Sequence, residues 1–590
     1  MKLSDYVIDF LVKERVHHVF EMIGGAITHL LDSTYARGDI ACVSMHHEQA
    51  AAFAAEGYAR MNGRLGVAMA TSGPGALNLL TPIGSCYFDS VPCLFITGQV
   101  NTYEYKFDKP VRQIGFQETD IVSIARPIVK YAELVQDPKL IRYSLEKAVF
   151  LAQSGRPGPA LLDIPMNIQR AEIDPKKLIG FYGSPEHKRL TRKEPAAGDA
   201  VAEVIALLRT ARRPLILAGG GVRTAGATAE LARLVEKTGI PVVCSLMGLD
   251  AIPHEDPAFT GMIGSYGTRY SNITLANCDL LLILGSRLDT RQTGTRPETF
   301  ARGAKKVHVD IDLQELNGKV KADIALHSDV KAFLAELNSR LKSFKKPDLS
   351  AWYKAIAKLR KDFPEVETEE KKGEINPNRF ISFLSGLCRE GDIICADVGQ
   401  NQMWTGQSFR SKKGQRLLFS GGMGSMGFSL PAAIGASLSS PGKRVIVISG
   451  DGGMQVNIQD IDSLVTKKLP VKIIMMNNGC LGMVRQFQDI YFDRRRQSTL
   501  EGYSCPDIKA VAAAYGVKGY TIKKMEEAGA VLREALAGPG PCLVDVKLSL
   551  ETAVEPKLIV NKPIEDMSPQ LPRARLRRAM IVKPLSKQRQ

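Results

Sequence analysis

The stretch RVIVISGDGGMQVNIQDIDSLVTKKLPVKIIMMNNGCLGMVRQFQ, residues 444–488, decides the fold of this 590-residue chain. Its apolar run RVIVIS is typical of a buried strand, and it stops at the GDGG segment around Asp451. A helix is predicted from about residue 457 to residue 469, where Pro470 ends it before a second apolar strand. The pattern predicts a βαβ unit, and the right-handed crossover of such units places the two strands parallel.

Two side chains with oxygen atoms, Asp451 and Asn478, follow the two predicted strands. Because the carboxyl ends of neighbouring parallel strands meet at one edge of a sheet, we expect these side chains to converge. Mg²⁺ prefers oxygen ligands, so a backbone carbonyl, which we assign to Cys480, can join them with phosphate oxygens and water. Gly452 and Gly453 let the backbone approach the phosphates. A strand-to-helix turn capped by Asp451 is the simpler alternative, but the paired asparagines favour a site for magnesium and diphosphate.

Strand-like and helix-like runs alternate in three blocks of the chain. We predict domains over residues 1–178, 195–345 and 372–555, followed by a basic tail over 556–590. Such alternation favours parallel sheets covered by helices, so the predicted fold class is α/β with three doubly wound parallel-sheet domains. The first and third blocks share a similar rhythm of strands and helices.

The composition argues against several classes of protein. Hydrophobic residues make up 44% and charged residues 24% of the chain, and no apolar run is long enough to span a bilayer, so neither disorder nor a membrane protein is expected. Ten cysteines without a CxxC pair argue against a zinc site or a disulfide framework, and the cytoplasm is the expected location. The net charge is +16, and seven Lys and Arg residues lie in the last twenty positions. We interpret this run as a solvated extension or a subunit contact, not as a nucleic-acid site.

Three segments together carry a family resemblance. The GDG and NN pairs resemble the thiamin-diphosphate binding motif, and ADVGQNQMW (396–404) and GGMGSMGFSLPAA (421–433) resemble further cofactor loops of these enzymes. Up to about residue 565 the chain resembles the acetohydroxyacid (acetolactate) synthase catalytic subunits, a family that uses thiamin diphosphate and FAD. The resemblance implies pyrimidine-binding, FAD-binding and diphosphate-binding domains in that order. The implied thiamin-diphosphate contacts are Gly25, Gly399, Gln400, Gly424, Met426, Gly452, Gly453 and Asn478.

Glu48 lies where a strand ends and a helix begins in CVSMHHEQAAAFAAEGYAR. By itself it is typical of an acid stabilised at a helix N-terminus. The resemblance implies that it contacts the cofactor pyrimidine as general acid and base, with Phe116 and Gln117 on the substrate side. One cofactor must then span the first and third domains. The resemblance implies that these domains come from different subunits of a homodimer or homotetramer, and it allows for a small regulatory subunit.

The middle block opens with LILAGGG, a glycine-rich strand end that alone gives weak support for a dinucleotide site. The resemblance implies Mg²⁺ and a structural FAD that takes no redox part in turnover. The implied FAD contacts are Arg156, Gly220, Gly221, Met247, Gly264, Ser265, Gly267, Gly285, Arg287, Asp310, Ile311, Asp329 and Val330. Arg291 is the implied ligand of a 2-keto-acid carboxylate, which a planar guanidinium suits, and Phe487 and Met166 line the implied acceptor channel.

The implied activity is that of a transferase of branched-chain amino acid biosynthesis. It decarboxylates pyruvate and adds the hydroxyethyl unit to a second 2-keto acid, giving 2-acetolactate and CO₂. Met166 stands where the family has lysine and Phe487 where it has tryptophan, which leaves the acceptor open. The tail IEDMSPQLPR resembles related flavin-containing ligases that add the two-carbon unit to ketones or deoxy-keto sugars, and such a ligase is the main alternative. A flavin-using pyruvate oxidase and a non-catalytic binding protein are further alternatives.

Overall fold

The computed structural model describes residues 1–191, 198–365 and 373–585, with the backbone alone for residues 198 and 199. The predicted domain boundaries at 195 and 372 and the last positions of the predicted tail, 586–590, lie outside the described residues. In the part of the chain that is described, no helix has both the length and the apolar character needed to cross a bilayer.

The first sheet is built from six parallel strands. They are β1 His18–Met22, β2 Ala41–Ser44, β3 Gly66–Ala70, β4 Cys93–Gln99, β5 Tyr131–Leu134 and β6 Ala160–Pro165. The helices around them are α1 Leu3–Lys13, α2 Thr28–Arg37, α3 Glu48–Asn62, α4 Pro74–Asn78, α5 Leu80–Asp89, α6 Ile121–Ala125, α7 Ile141–Gln153, α8 Met166–Gln169 and α9 Pro185–Leu190. The strand order is β2-β1-β3-β4-β6-β5. Strands β3, β4 and β6 are buried along their whole length, as expected where helices cover both faces of a parallel sheet.

The second sheet also has six parallel strands. They are β7 Pro214–Ala218, β8 Val242–Cys244, β9 Phe259–Met262, β10 Leu280–Leu284, β11 Lys305–Asp310 and β12 Ile324–His327. The helices are α10 Gly198–Thr210, α11 Gly220–Thr224, α12 Thr228–Thr238, α13 Arg269–Asn277, α14 Thr290–Thr293, α15 Val330–Arg340 and α16 Ser350–Asp362. The order is β12-β11-β10-β7-β8-β9, the order of doubly wound dinucleotide-binding sheets. The order of the strands reverses between the parallel neighbours β7 and β10, which is the topological switch point of this sheet.

The third sheet repeats the strand order of the first. Its strands are β13 Ile393–Ala396, β14 Arg416–Phe419, β15 Val445–Gly450, β16 Val471–Asn477, β17 Lys518–Ile522 and β18 Cys542–Lys547. Its helices are α17 Pro377–Leu387, α18 Gln400–Ser408, α19 Ser429–Ser439, α20 Asp451–Val456, α21 Ile461–Thr466, α22 Gly482–Tyr491, α23 Ile508–Ala514 and α24 Met525–Ala537. The order is β14-β13-β15-β16-β18-β17. The predicted α/β fold class with three doubly wound parallel sheets is confirmed.

Short 3₁₀ helices occur in all three domains. They lie at Gly25–Ile27, Thr102–Glu104, Arg126–Ile128, Pro138–Leu140, Pro175–Lys177, Leu246–Gly248, Pro297–Thr299 and Ile458–Asp460.

The predicted helix over 457–469 is wrong at its start. Helix α20 already begins at Asp451, because Gly450 has an extended conformation that serves as the N-cap. The helical path is interrupted at Asn457, which leaves the helical region and donates its side-chain N–H to the carbonyl of Gly427 at 2.8 Å. Asp451 is therefore the first residue of a helix that directly follows β15.

Helices α3 and α19 connect the first and third domains through close backbone contacts at two glycines, one on each helix. A Cβ at Gly57 would clash with the backbone of Ala432, and one at Gly435 would clash with the carbonyl of Ala54. The Arg60 guanidinium lies over the ring of Phe428, 5.6 Å from its centroid. These pairings show that the two helices run antiparallel and touch backbone to backbone.

The tail ends in two short strands and a helix, β19 Lys557–Leu558, β20 Met567–Ser568 and α25 Arg573–Ala579. Arg269 of the second domain donates to the carbonyl of Pro569 at 2.8 Å, and Arg302 pairs with the buried Glu565 at 2.8 Å. Leu576 of α25 is buried. Residues 556–585 therefore pack on the second domain of their own chain, while most side chains from residue 571 onward are exposed or half-buried, and a subunit contact of this basic run stays a prediction.

Candidate functional site

Asp451 and Asn478 lie together at the carboxyl ends of β15 and β16. Gly450 is paired with Met476 in the strand register, and the backbone N–H of Asn478 donates to the Asp451 carboxylate. Asp451 is 1% exposed, and its Oδ2 accepts a hydrogen bond from the Tyr503 hydroxyl at 2.6 Å. Burial raises the pKa of Asp451. A cation beside this carboxylate would offset the cost of ionising it in a buried position.

The oxygen donors around Asp451 fit Mg²⁺. The Nδ2 of Asn478 donates to Gln400 Oε1 at 2.9 Å, and its Oδ1 accepts one hydrogen bond, from the Cys480 N–H at 3.4 Å, so one lone pair of this oxygen can face a cation. The Cys480 carbonyl accepts one hydrogen bond, from the N–H of Gly482 at 2.9 Å, and a carbonyl oxygen has two lone pairs. Burial raises the pKa of the Cys480 thiol, so sulfur stays protonated and the carbonyl is the candidate ligand. Carboxylate, amide and carbonyl oxygens are the hard donors that Mg²⁺ prefers.

The loop after β13 borders the same place. Gly399 has a φ of 146°, a conformation that L side chains rarely adopt, and a Cβ there would lie 2.7 Å from Asn401 Oδ1. Gln400 starts α18, and its amide donates to Gln486 at 3.2 Å. Strands β13 and β15 are neighbours at the topological switch point of the third sheet, where the strand order reverses. Ligands bind outside the carboxyl ends of strands at such points.

Met426 and Gly424 complete this part of the site, which we call the diphosphate half. A Cβ at Gly452 would lie 3.2 Å from Met426 Cε and 2.6 Å from Leu481 Cδ2. A Cβ at Gly453 would lie 2.5 Å from Asp397 Oδ1. Gly424 has a φ of 68° and no atom within 4 Å of a Cβ position. A side chain at Gly452 or Gly453 would therefore clash with Leu481 or Asp397, whereas the space beside Gly424 is open.

Glu48 belongs to a second cluster, at the carboxyl ends of β1 and β3. It is the first residue of α3, capped by His47, whose ring accepts from the N–H of Gln49 at 3.1 Å. Asn78 donates to Glu48 Oε2 at 2.9 Å. Glu48 Oε1 lies 3.1 Å from where a Cβ at Gly75 would be. The carboxylate is half-buried and fixed by one neutral donor.

Three further predicted residues surround Glu48, and we call the whole cluster the pyrimidine half. Gly25 starts a 3₁₀ helix after β1, and the space around its Cβ position is open. Gln117 has a φ of 63° and packs its Cβ 3.0 Å from the Cβ position of Gly73. Phe116 beside it is 85% exposed. The pyrimidine half is therefore an open surface.

Among the described residues, no hydrogen bond or ion pair joins Glu48 to Asp451, Asn478 or Cys480 of the diphosphate half. Helix α3 carries Glu48 at its N-terminus and contacts Phe428, at the N-terminal end of α19, through Arg60. Twelve residues of helix separate Glu48 from Arg60, a distance of about 18 Å. The N-terminal end of α3 instead contacts Asp460, which accepts from the His46 N–H at 3.1 Å. Asp89, paired with Arg60 at 2.9 Å, accepts from the N–H of Gly422 at 2.7 Å and so holds the loop that leads to Gly424.

A cavity of about 720 Å³ lies at the switch point of the second sheet, between the first, second and third domains. Its walls approach closely because a Cβ at Gly221 would lie 2.7 Å from Gly285 Cα. Ten of the predicted FAD residues line the cavity, namely Arg156, Gly220, Gly221, Met247, Gly285, Arg287, Asp310, Ile311, Asp329 and Val330. Burial raises the pKa of Asp310, whose Oδ1 accepts from the N–H of Asp312 at 2.9 Å. This volume and a crevice floored by glycine suit a dinucleotide.

The other three predicted FAD residues, Gly264, Ser265 and Gly267, are absent from the residues that line this cavity. They form a turn behind it, in which the N–H of Ser265 donates to the carbonyl of Arg291 at 2.6 Å and that of Gly267 to Gly264 at 2.9 Å. A Cβ at Gly264 would clash with the Arg291 carbonyl. Their contacts therefore position Arg291.

The predicted substrate residues are divided between the two halves. Arg291 lines the cavity with its guanidinium 6.0 Å from the ring centroid of Tyr266. Phe487 is on α22, 44% exposed, with its ring 4.7 Å from that of Tyr491. Met166 starts α8 directly after β6 in the first domain and is half-buried. Arg291 and Phe487 thus lie on the side of the diphosphate half, and Met166 belongs to the domain of the pyrimidine half.

Sequence reasoning missed three polar residues that fix the site. Tyr503 holds Asp451, and Asn78 holds Glu48. Asp397 accepts from the Gly427 N–H at 2.9 Å and from the Ser429 hydroxyl at 2.7 Å, and so anchors the segment around Met426. Asp397 carried a usable signal, since it follows a buried strand as Asp451 does. Tyr503 carried none, because its partner Asp451 lies 52 positions away in the sequence.

Comparisons with known proteins agree with this geometry. Residues 1–124, 201–337 and 397–546 match the N-terminal TPP binding, central and C-terminal TPP binding domains of thiamine pyrophosphate enzymes. A probable acetolactate synthase 2, chloroplastic, of Oryza sativa subsp. japonica is 38% identical over 96% of this chain and 86% of its own length. The probable acetolactate synthase large subunit of Methanocaldococcus jannaschii is 38% identical over 92% of each chain. The acetolactate synthase large subunit of Cyanidium caldarium is 34% identical over 95% of each chain.

Proposed function

The chain belongs to the acetolactate synthase family of thiamine pyrophosphate enzymes, and from this membership we propose that it makes 2-acetolactate. It is a transferase that removes CO₂ from pyruvate and joins the remaining two-carbon unit to the keto carbon of a second 2-keto acid. The single observation that carries the proposal is the pair of half-sites, Glu48 at one sheet edge and Asp451 with Asn478 at another. The relatives reported above do not favour the alternative ligase for ketones or keto sugars.

Thiamin diphosphate supplies the electron sink that lets a 2-keto acid lose CO₂ and form a new carbon–carbon bond. The chain holds its charged end at the diphosphate half, where Asp451, Asn478 and the Cys480 carbonyl bind Mg²⁺. Gly399 and Gln400 would border the phosphates, beside Gly452, whose position leaves no room for a side chain against Leu481 and Met426. Met426 supports the bend of the cofactor.

With the cofactor bound, Glu48 would serve as general acid and base toward its pyrimidine ring. Asn78 holds one carboxylate oxygen, so the other is free to face the ring. Gln117 and the exposed Phe116 are placed on the substrate side of this carboxylate. Arg291 binds the carboxylate of a 2-keto acid through its guanidinium fork.

The cavity of the second sheet binds FAD in a structural role. The reaction involves no net oxidation or reduction, so FAD is not required to change its redox state. The variant Gly221→Ala, whose Cβ would lie 2.7 Å from Gly285 Cα, should lose bound flavin. Gly386→Ala, on α17 with no atom within 4 Å of the new Cβ, should keep it. Visible flavin absorbance of the purified variants measures this difference, and a wild-type flavin content in Gly221→Ala would argue against the site.

Each active site combines two copies of the chain, in a homodimer or a homotetramer. The exposed pyrimidine half supports this, since Phe116 is 85% exposed and leaves room for a second copy of the chain. The words "large subunit" in the relatives' names support a smaller regulatory partner as well. Ten free cysteines support a reducing compartment, and we place the protein in the cytoplasm.

A purified sample with thiamin diphosphate, Mg²⁺, FAD and pyruvate should release CO₂ and form 2-acetolactate in equal amounts. Release of CO₂ without acetolactate, with bleaching of the flavin, would instead support a pyruvate oxidase.

Mixed oligomers test the shared site. Glu48→Gln and Asp451→Asn chains should each be inactive, and co-expression with two different tags should restore about a quarter of wild-type activity. Half of randomly paired dimers are mixed, and each mixed dimer has one site with both groups intact. No recovery in an isolated mixed dimer would mean that the site lies within one chain.

A further inference from the structure

Lys557 of the tail lies over the aromatic face of α22. Its Nζ is 5.5 Å from the ring centroid of Phe487 and 5.7 Å from that of Tyr491. The two rings are in contact, with centroids 4.7 Å apart. Cation–π contacts with two rings hold the ammonium group beside Phe487, the residue predicted to line the acceptor channel.

No acid offsets the charge of Lys557. Within the described ranges its Nζ makes neither an ion pair nor a hydrogen bond. The side chain is half-buried, and burial alone lowers its pKa. By contrast, the exposed Lys547 pairs with Asp545 at 2.6 Å, and Lys518 pairs with Glu534 at 2.8 Å. A partly desolvated cation whose printed contacts are two aromatic faces, with no anion, is costly to the fold, which points to an anion that binds there from solution.

Lys557 and Arg291 flank the same turn. The N–H of Ser265 donates to the carbonyl of Arg291 at 2.6 Å, and its carbonyl accepts from the N–H of Leu558 at 2.7 Å. The two backbones are therefore about two strand spacings apart, on the order of 10 Å. Tyr266 lies between them, with Arg291 over its ring and Tyr491 close enough to affect its pKa. Two cations thus border one aromatic wall.

We propose that Lys557 is a specificity-determining residue that binds a second anionic group on the acceptor, so that the preferred acceptor is a 2-keto acid with an anionic far end. This inference rests on the proposed function and names its substrate class. Arg291 binds the carboxylate next to the keto carbon, and Lys557 binds a carboxylate or phosphate at the other end. The aromatic rings cover the carbon chain between them.

The reaction is balanced without an oxidant. The bond between C1 and C2 of pyruvate breaks and its carboxyl group leaves as CO₂. The electron pair left on C2 forms a carbon–carbon bond to the keto carbon of the acceptor, and the keto oxygen takes up one proton. The far anionic group is unchanged.

Competition between acceptors tests the proposal. The holoenzyme receives pyruvate with equal amounts of 2-ketobutyrate, which has a neutral end, and either 2-ketoglutarate or 3-phosphohydroxypyruvate. The products are quantified by mass spectrometry. Wild type should favour one of the anionic acceptors over 2-ketobutyrate, and the two arms separate a carboxylate from a phosphate partner.

Lys557→Met should lower this preference about 10- to 100-fold, the factor of one hydrogen bond to a charged group. Lys557→Arg should retain most of it, and Lys562→Met, in the same tail segment, should not change it. If Lys557→Met does not fold, Lys557→Gln serves instead. An unchanged preference in a folded variant, or no use of anionic acceptors by wild type, would overturn the inference. Acetolactate formation from pyruvate alone would still stand in that case, whereas its absence would overturn the proposed function itself.

Discussion

The diphosphate half and the pyrimidine half lie on sheets with the same strand order, but they differ in how deeply their residues are buried. Asp451 of the diphosphate half is 1% exposed and is held by Tyr503 and a backbone N–H. The pyrimidine half is open, with Phe116 85% and Ile23 65% exposed. Both lie at the switch point of a sheet with the order 2-1-3-4-6-5. The difference teaches that one folded chain buries the predicted ligands for the charged end of the cofactor but leaves the surroundings of Glu48 open.

The largest effect should come from the open half. Glu48→Gln removes the proton donor without changing its size, so kcat should fall by about 10²- to 10⁴-fold, the range of general acid–base catalysis. The binding of thiamin diphosphate, measured by calorimetry, should change little, because its charged end binds at the other half.

Glu526→Gln is the matched control, since Glu526 is also an acid in the first turn of a helix and is exposed. Its kcat should equal that of wild type. A comparable loss in both variants would mean that Glu48 acts on the helix and not on the cofactor.

The link between the halves is the next target. Gly435→Ala places a methyl group against the carbonyl of Ala54, where α19 and α3 touch through their backbones. Separation of the helices should cost about 3 kcal/mol of unfolding free energy, the upper part of the range for overpacking. Gly386→Ala, in α17 with open space around it, should be neutral or stabilising. Urea unfolding of both variants measures the difference, and equal midpoints would contradict the direct backbone contact.

Much of the diphosphate half could be predicted from sequence because it is local. Asp451, Asn478 and Cys480 all lie in one βαβ unit, whose crossover rule brings strand ends together. The helix after Asp451 was predicted six residues too late, since the break at Asn457 depends on Gly427 of a distant segment. Edge strands such as β14 and β17 were also missed, because they are short and only partly buried or mixed in polarity.

The pyrimidine half and the tail could not be derived locally. The contact between Glu48 and Asn78 is formed by residues thirty positions apart, and nothing in either segment reveals the other. The tail is basic in composition, yet Arg302 and Glu565 attach it to the second domain. A charge count does not contain such pairings. Domain boundaries and the roles of individual site residues remain predictions for the same reason.

The smallest effect should be a change in thermal stability, which should differ between a variant in the buried half and one in the open half. Asp451→Asn should raise the unfolding temperature of the cofactor-free protein by a few degrees while it abolishes Mg²⁺ binding. The asparagine can accept from the Asn478 N–H and donate to the Tyr503 oxygen, so no hydrogen-bonding group is lost. Burial raises the pKa of Asp451, so its ionised form destabilises the folded state. This cost is absent at low pH and grows as the pH rises above about 4, the ordinary value for aspartate. The gain in stability of the Asp451→Asn variant should therefore appear only above that pH, in calorimetric scans.

Glu48→Gln should change the unfolding free energy by less than about 0.5 kcal/mol, as for other partly exposed positions. A larger shift for Glu48→Gln than for Asp451→Asn would reverse the assignment of the buried and the open half.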